Sequence, residues 1–274
     1  METNYLHINH CNLRQIAESG QCFRWEPSDK IPCSDGGYLV HDGEDQAFFG
    51  QRGNEIIIMC ADGELDHWLR YLDVGTNYGE IINRIHPGDN YLLNAAQMGG
   101  GLRILHADLW ETMVSFVVSQ NNNIPRIKAT IAAMCCKLGE RREGVAGEYY
   151  AFPTPWKLMG TRDLQGLGLG YRDKYISQLA ENVWSGKIRL ADLAAMPTEE
   201  AHRYLRSIYG IGDKVANCIL LFGLGRKEAF PVDTWIKKII DREYSGKFPV
   251  EDYNGCAGVI QQYMFYAERE AAKR

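Results

Sequence analysis

Residues 198–225, TEEAHRYLRSIYGIGDKVANCILLFGLG, contain two amphipathic helical segments joined by the short turn Gly210-Ile211-Gly212. Glycine lets a backbone adopt positive φ and lets another molecule approach it closely. With Ile211 packed between the helices, the N–H groups of Gly210 and Gly212 and the start of the second helix would face outward and could hold a DNA phosphate. A plain turn between two helices is the alternative interpretation, because short glycine motifs occur in many proteins.

Lys214 lies in the first turn of the second helix, next to that turn. Burial and the positive end of a helix both disfavour the ammonium form of a lysine. A lysine held as the neutral amine is a nucleophile. A solvated surface lysine is the alternative, but the adjacent phosphate-binding turn favours a catalytic role.

Asp233 follows in the segment AFPVDTWIKKII, residues 229–240, where it occupies the position of a helix N-cap. A carboxylate at this place could also stabilise positive charge that develops on a sugar and assist proton transfers. A simple capping role is the alternative, and the two roles are compatible.

The rest of the chain predicts an α+β fold in two parts. About the first ninety residues are expected to be β-rich, because YLVHDGEDQAFFGQRGNEIIIMC at 38–60 alternates strand-like runs with glycine turns. We place a small antiparallel α+β domain at 1–100 and a helical domain with the helix-hairpin-helix motif at 101–274. Helices are predicted at 109–120 (capped by Asp108), 126–138, 171–184, 198–208, 213–224 and 234–242.

Composition is that of a globular protein: 274 residues, 45% hydrophobic and 24% charged. The formal net charge of −5 is unevenly distributed. Residues 1–100 carry six basic against 15 acidic side chains, whereas residues 101–245 carry 20 against 16. The middle of the chain can therefore present a modestly basic surface to a nucleic acid.

No apolar run approaches the roughly 18 residues of a membrane span, and the start of the chain lacks a secretory pattern. Eight cysteines without a C-x-x-C pair predict free thiols in a reducing compartment. We expect a cytoplasmic monomer, nucleoid-associated in a prokaryote. His7, His10 and Cys11 would alternate faces in a strand and lack a fourth ligand, so no metal and no cofactor are expected.

The hairpin GIGDKVANCILLFG at 210–223, followed by FPVDTWIKK at 230–238, resembles the helix-hairpin-helix DNA glycosylases that use a catalytic lysine. Four further segments are similar to the 8-oxoguanine DNA glycosylases, in the family's order along nearly the whole chain. They are SGQCFRW at 19–25, SQNNNIPRIK at 119–128, GLGLGYRDKY at 166–175 and, more weakly, QQYMFYAE at 261–268. The resemblance implies a TATA-binding-protein-like (TBP-like) antiparallel sheet domain, then a two-part helical domain with the active site in the cleft.

The resemblance also implies the reaction. Lys214 would attack the deoxyribose C1′, expel the base as a glycosylase and form a Schiff base, and β-elimination would then nick the strand. Asp233 matches the family's catalytic aspartate. The partner would be double-stranded DNA that contains 8-oxoguanine paired with cytosine.

For the damaged base, Gly20 matches the residue whose backbone carbonyl tests N7. Cys218 and Phe265 match the residues that enclose the flipped base, and Gln261 matches a contact to its Watson–Crick edge. Asn121 matches the residue that fills the space which the flipped base leaves in the DNA. Tyr171 matches the wedge residue. Arg126 and Arg172 match the two residues that read the unpaired cytosine.

Trp235 departs from the family's pattern, because eukaryotic members have histidine two residues after the catalytic aspartate. We therefore do not carry over that histidine's phosphate contact. Related glycosylases remain as alternatives, but iron–sulfur members need four closely spaced cysteines, and only Cys256 follows Asp233. Alkylation-repair relatives lack the hairpin lysine. A non-catalytic DNA-binding module is the alternative from another class.

Overall fold

The computed structural model describes residues 1–33 and 35–273. Its first part is an antiparallel sheet of β1 (Glu2–His7), β2 (Trp25–Pro27), β3 (Gly37–Asp42), β4 (Asp45–Arg52) and β5 (Glu55–Cys60). The strands are hydrogen-bonded in the order β1-β5-β4-β3-β2. Two-residue turns join β3 to β4 and β4 to β5, and Gly43 and Gly53 take positive φ in them. The predicted hairpins are confirmed.

Helices begin earlier than expected, and the prediction of about ninety β-rich residues is wrong beyond Cys60. Trp68, Tyr71 and Leu72 recur at helical spacing and are buried, which explains helix rather than strand here. The sheet also ends at His7 on its first strand, so His10 and Cys11 do not share a strand with it. The helices of this part are α1 (Leu13–Glu18), α2 (Leu65–Tyr71), α3 (Tyr78–Asn83) and α4 (Asn90–Gly99).

The longer helices that follow begin and end within two residues of their predicted bounds. They are α5 (Leu109–Val118), α6 (Ile124–Leu138), α9 (Arg172–Trp184), α11 (Thr198–Ser207) and α13 (Thr234–Glu243). Side-chain caps explain three of the starts, because Asp108, Asn123 and Asp233 each accept a backbone N–H of the first turn. The α+β fold class is confirmed.

The second helix of the hairpin departs from its predicted form. α12 (Asp213–Cys218) is short, and the chain continues as a π-helix over Ile219–Gly223. Other elements were not predicted. These are the hairpin of β6 (Arg141–Gly144) and β7 (Gly147–Tyr150), α7 (Pro155–Leu158), α8 (Thr161–Leu164), α10 (Leu190–Ala195), a 3₁₀-helix (Val250–Tyr253) and α14 (Ala257–Ala271).

Two hydrophobic clusters form the interior. The smaller one lies between the sheet and α1 and α2, and includes Trp25, Phe49 and Trp68. The larger one contains the helices from α3 onward, and α4 packs on α14 within it. The division of the chain at residue 100 stays a prediction, since α3 and α4 contribute to the larger cluster.

A buried ion pair joins the sheet part to α5. Arg24 Nη1 lies 2.8 Å from Glu111 Oε2, and Arg24 also donates to the carbonyl oxygens of Gly43 and Tyr150. Burial raises the pKa of Glu111 to about 7, although the nearby Arg24 opposes the rise. Removing either partner would leave a buried, uncompensated group, which is costly. The pair therefore fixes α5, whose end leads into the site.

Candidate active site

A cavity of about 770 Å³ opens where the segment after α1, the loop after α5, the hairpin, the start of α13 and α14 meet. Its volume falls within the range of roughly 300–1,000 Å³ that small-molecule sites occupy. Gly20, Asn121, Lys214, Asp233 and Phe265 come from five separate segments and all line it. Five residues that the sequence singled out are thus brought together.

Lys214 is the second residue of α12, and its side chain is half-buried on the cavity lining. Its Nζ donates to Ser119 Oγ at 3.3 Å and lies 5.1 Å from the centroid of the Phe116 ring. Within residues 1–33 and 35–273, no ion pair ties this amine to a carboxylate. The amine therefore adjoins a hydroxyl, the Cys218 thiol and an aromatic face.

Asp233 is the N-cap of α13, as predicted. Its Oδ1 accepts the backbone N–H groups of Trp235 at 3.0 Å and Ile236 at 2.9 Å. No described residue donates to Oδ2. Capping thus orients the carboxylate while one oxygen stays available in the cavity that Lys214 also lines.

Gly20 requires glycine for two reasons. Its φ is +80°, a conformation that other residues rarely adopt. A Cβ there would also lie 3.1 Å from Ile124 Cδ1 and 3.4 Å from Phe265 Cε1. Phe265, which α14 supplies, faces this backbone across the cavity lining. The main chain at Gly20 can therefore approach a bound molecule without a side chain in between.

Cys218 and Gln261 are not on the cavity lining. Both are about 3% exposed and lie in the packed interior. Burial raises the pKa of the Cys218 thiol, and the nearby Lys214 charge offsets part of the rise. Gln261 accepts a hydrogen bond from the Gln262 amide at 2.9 Å. The structure does not bring these two residues to the open surface of the cavity beside Phe265, and their roles stay predictions.

The two hairpin glycines serve different purposes. Gly210 has φ +87°, and a Cβ there would come 2.4 Å from Tyr175 Cγ. Gly212 has ordinary extended backbone, with nothing within 4 Å of a Cβ, so the expectation of positive φ holds only for Gly210. Ile211 is buried between the helices, as predicted. Asp213, at the start of α12, lies 3.2 Å from His202 Nε2 and 3.8 Å from Arg206 Nη1, and the Arg206 charge partly offsets its own near the turn.

The loop after α5 carries Asn121, which is exposed and has φ +47°. Arg126 is also exposed, and its Nη2 donates to the carbonyl oxygen of Gly168 at 3.2 Å. Tyr171 is half exposed, with the Arg172 guanidinium 4.8 Å from its ring centroid. Arg172 differs from Arg126, because it is 5% exposed and four of its five N–H groups bind backbone carbonyls.

The comparisons with known proteins agree with this geometry. The family model of the 8-oxoguanine DNA glycosylase N-terminal domain matches residues 5–113. A solved structure of MBOgg1 with a low-affinity DNA ligand is 35% identical, with a TM-score of 0.89 over 99% of this chain and 100% of that chain. The chain belongs to the 8-oxoguanine DNA glycosylase family.

Two other members of this family extend the match. The Clostridium acetobutylicum 8-oxoguanine glycosylase/lyase, in complex with double-stranded DNA containing cytosine opposite 8-oxoG, is 30% identical, with a TM-score of 0.87 and 99% coverage of both chains. The N-glycosylase/DNA lyase of Saccharomyces cerevisiae is 28% identical over 258 residues, which are 85% of this chain and 68% of that protein. The protein is a DNA glycosylase with lyase activity, and not a non-catalytic binding module.

Several residues on the lining of this glycosylase were not singled out from the sequence. Ser119 and Gln120 stand inside a quoted motif, yet only their neighbours received roles, and Trp235 was noted only as a departure from the family's pattern. Phe116 lies within the segment predicted as a helix at 109–120, but no role was predicted for it. Arg269 follows Phe265 by four residues on α14 and so shares its helix face, a usable signal.

Metal-binding clusters and membrane-spanning helices are both absent from residues 1–33 and 35–273 of the glycosylase. No group of three or more His, Cys, Asp or Glu side chains there could hold a metal ion. Nor does any of its helices have the length and apolar character to cross a bilayer.

Proposed function

We propose that this protein excises 8-oxoguanine paired with cytosine from double-stranded DNA and then nicks the strand at that place. The observation that carries the proposal is the Lys214 amine, which lines the cavity with Asp233 and has no ion-pair partner among the described residues. The Clostridium relative supports the choice of lesion and of opposite base, since its bound DNA contains that pair.

In the first step, the unshared electron pair of the Lys214 amine attacks C1′ of the deoxyribose. The C1′–N9 bond breaks, its electron pair leaves with the base, and the base takes up a proton. Opening of the sugar at C1′–O4′ gives a Schiff base between Lys214 and C1′. Loss of a C2′ proton then breaks the C3′–O bond, which cuts the strand on the 3′ side of the lesion.

Asp233 supports these steps through its charge. Its Oδ1 is fixed by two backbone N–H groups, so the carboxylate has one orientation. Its Oδ2 is left to stabilise the positive charge that develops on the sugar and to assist proton transfers.

Specificity for the lesion comes from the carbonyl of Gly20. 8-Oxoguanine has an N7–H donor, whereas guanine has an acceptor at N7. Guanine would leave this carbonyl unpaired, which costs about 1–3 kcal/mol. The base must be flipped out to reach the cavity, at a cost of a few kcal/mol. Phe265 offers a stacking face, and Cys218 and Gln261 complete the base pocket after the lining adjusts.

The DNA is held by the other side of the cavity. The N–H groups at Gly210 and Gly212 bind a backbone phosphate. Asn121 fills the space that the base leaves, and Tyr171 acts as the wedge. Arg126 donates to the O2 and N3 acceptors of the unpaired cytosine, and Arg172 contributes where its donors allow.

We also propose that the enzyme acts as a cytoplasmic monomer, on the nucleoid in a prokaryote. It would need no metal and no cofactor, because the lysine amine itself supplies the nucleophile.

Borohydride trapping on an 8-oxoguanine:cytosine duplex tests the proposal. Wild type should give a covalent protein–DNA adduct, because borohydride reduces a Schiff base to a stable amine. Lys214→Gln should give no adduct and no strand nicking. Lys237→Gln is the matched control, since Lys237 also lines the cavity, and it should retain the adduct. Equal adduct yields from wild type and Lys214→Gln would contradict the assignment.

A further inference from the structure

Three consecutive residues connect separate parts of the cleft. Ser119 Oγ accepts the Lys214 amine at 3.3 Å. The Gln120 side-chain amide donates to the Gly210 carbonyl oxygen at 2.8 Å, 90 residues further along the chain. The carbonyl oxygens of Gln120 and Asn121 both accept the Arg172 guanidinium. The nucleophile, the hairpin and the Arg172 segment thus meet at residues 119–121.

The backbone of this segment needs external support. Asn121 has φ +47°, in the left-handed region that non-glycine residues seldom occupy, and its side chain is exposed. Such conformations persist when the surroundings over-determine them. Arg172 supplies support from one side, with Nε 2.8 Å from the Gln120 carbonyl oxygen and Nη2 3.0 Å from that of Asn121. Gln120 supplies it from the other side.

We propose that Gln120 is a positioning residue that ties the hairpin to the segment carrying Asn121 and Ser119. This inference rests on the proposed function, because it concerns how that reaction's groups are aligned. The Gln120 side-chain amide is engaged by the hairpin backbone, so its part in this inference is to position its neighbours. The Gln120 amide fixes the distance between the phosphate that the hairpin binds and the side chains of Ser119 and Asn121. A phosphate at Gly212 therefore sets where Asn121 enters the DNA and where Ser119 holds the Lys214 amine.

The same contacts indicate different roles for Arg172 and Arg126. Arg172 has one N–H left after its four backbone bonds, whereas the exposed Arg126 has one bond, to Gly168. Arg172 braces the segment for every opposite base, and Arg126 carries most of the preference for cytosine.

The test compares Gln120→Ala and Gln120→Glu with wild type in single-turnover excision and in DNA binding. Glutamate keeps the side-chain length but has no N–H to donate. Both variants should excise 8-oxoguanine about 3- to 10-fold more slowly at saturating protein, the effect of one lost neutral hydrogen bond. The Kd of Gln120→Ala for the duplex should change less than about twofold, because the hairpin phosphate contact remains. Gln120→Glu adds a negative charge that weakens binding to the polyanion, so only its rate at saturating protein is compared. Gln178→Ala, an exposed glutamine on α9, should match wild type.

Each outcome is decisive. Rates within twofold of wild type for both variants overturn the positioning role, and so does a loss of affinity in Gln120→Ala equal to its loss of rate. Unfolding of both variants would also overturn it, since Gln120 would then act on stability; if only Gln120→Ala unfolds, Gln120→Glu carries the test. If wild type itself excises nothing, the proposed function fails instead, and the two failures are thereby distinguished.

Discussion

The cavity has two sides that are held in different ways. On the reading side, Asn121 lines the cavity, and hydrogen bonds from Arg172 and from Gln120 to Gly210, behind the lining, fix its backbone. On the chemistry side, formed by Lys214, Asp233 and Gly20, Lys214 has no ion-pair partner and Asp233 leaves Oδ2 without a donor among the described residues. The difference follows from the work of each side. Recognition of the space left by a flipped base needs groups that are fixed in position. Nucleophilic attack needs an amine whose electron pair is not engaged by another group.

Asp233→Asn tests the chemistry side and should give the largest effect in this comparison. Asparagine also caps helices well, so the α13 cap and the folded state should survive. The charge that stabilises the sugar is lost, and single-turnover excision should fall about 10²- to 10³-fold with DNA binding largely unchanged. Asp241→Asn, exposed on the same helix, serves as the control. An unchanged excision rate in a folded Asp233→Asn protein would refute a catalytic role beyond capping.

Arg126→Ala tests the reading side and should give a smaller, selective effect. A lost charged hydrogen bond costs roughly 1.5–3 kcal/mol, or about 10- to 150-fold in rate or affinity. The loss should appear on the 8-oxoguanine:cytosine pair and be weaker opposite adenine, guanine and thymine. Arg172→Ala should instead slow excision opposite all four bases, with only a small part of the loss specific to cytosine, because it releases the Gln120 and Asn121 carbonyl oxygens.

The measurement is single-turnover excision opposite each of the four bases, with the double variant included. Arg162→Ala, an exposed arginine elsewhere, should behave as wild type. If wild type treats all four bases alike, Arg126 does not read the opposite base.

Removal of metal ions should leave excision and nicking unchanged, which is the smallest effect of the series. Neither side of the cavity contains a group of His, Cys, Asp or Glu residues suited to a metal ion within the described chain. Excision and nicking by the colourless protein should therefore persist after prolonged EDTA treatment. A brown protein, or one that chelation silences and added metal revives, would contradict this expectation.

Much of the fold could be predicted from local patterns. Asp42-Gly43 between alternating apolar runs indicated the β3–β4 hairpin, and Asp108 indicated the start of α5. The β6–β7 hairpin was missed, because its strands are short, charged and partly exposed, with little apolar alternation. α12 was predicted too long, since periodicity does not distinguish an α-helix from the π-helix that follows Cys218.

The site likewise contains residues that local motifs identify and residues that only the fold brings together. Lys214, Asp233 and Gly20 stand in short motifs and could be identified from the sequence. The contacts of Gln120 could not, because its partner Gly210 lies 90 residues away and is reached only through the fold. The burial of Arg172, Cys218 and Gln261 likewise depends on packing that no local pattern specifies.

The C-terminal helix α14 has a consequence for how the enzyme is made. Its Phe265 closes one face of the cavity opposite Gly20, and its Arg269 donates to the backbone of Glu18, 251 residues earlier in the sequence. The ribosome synthesises the segment around Glu18 long before it synthesises α14. Until α14 has emerged, the nascent chain lacks Phe265 and the α14 part of the larger hydrophobic cluster, so the cavity is incomplete. The cavity is therefore finished only when the last helix has been made and has packed against the segment around Gly20.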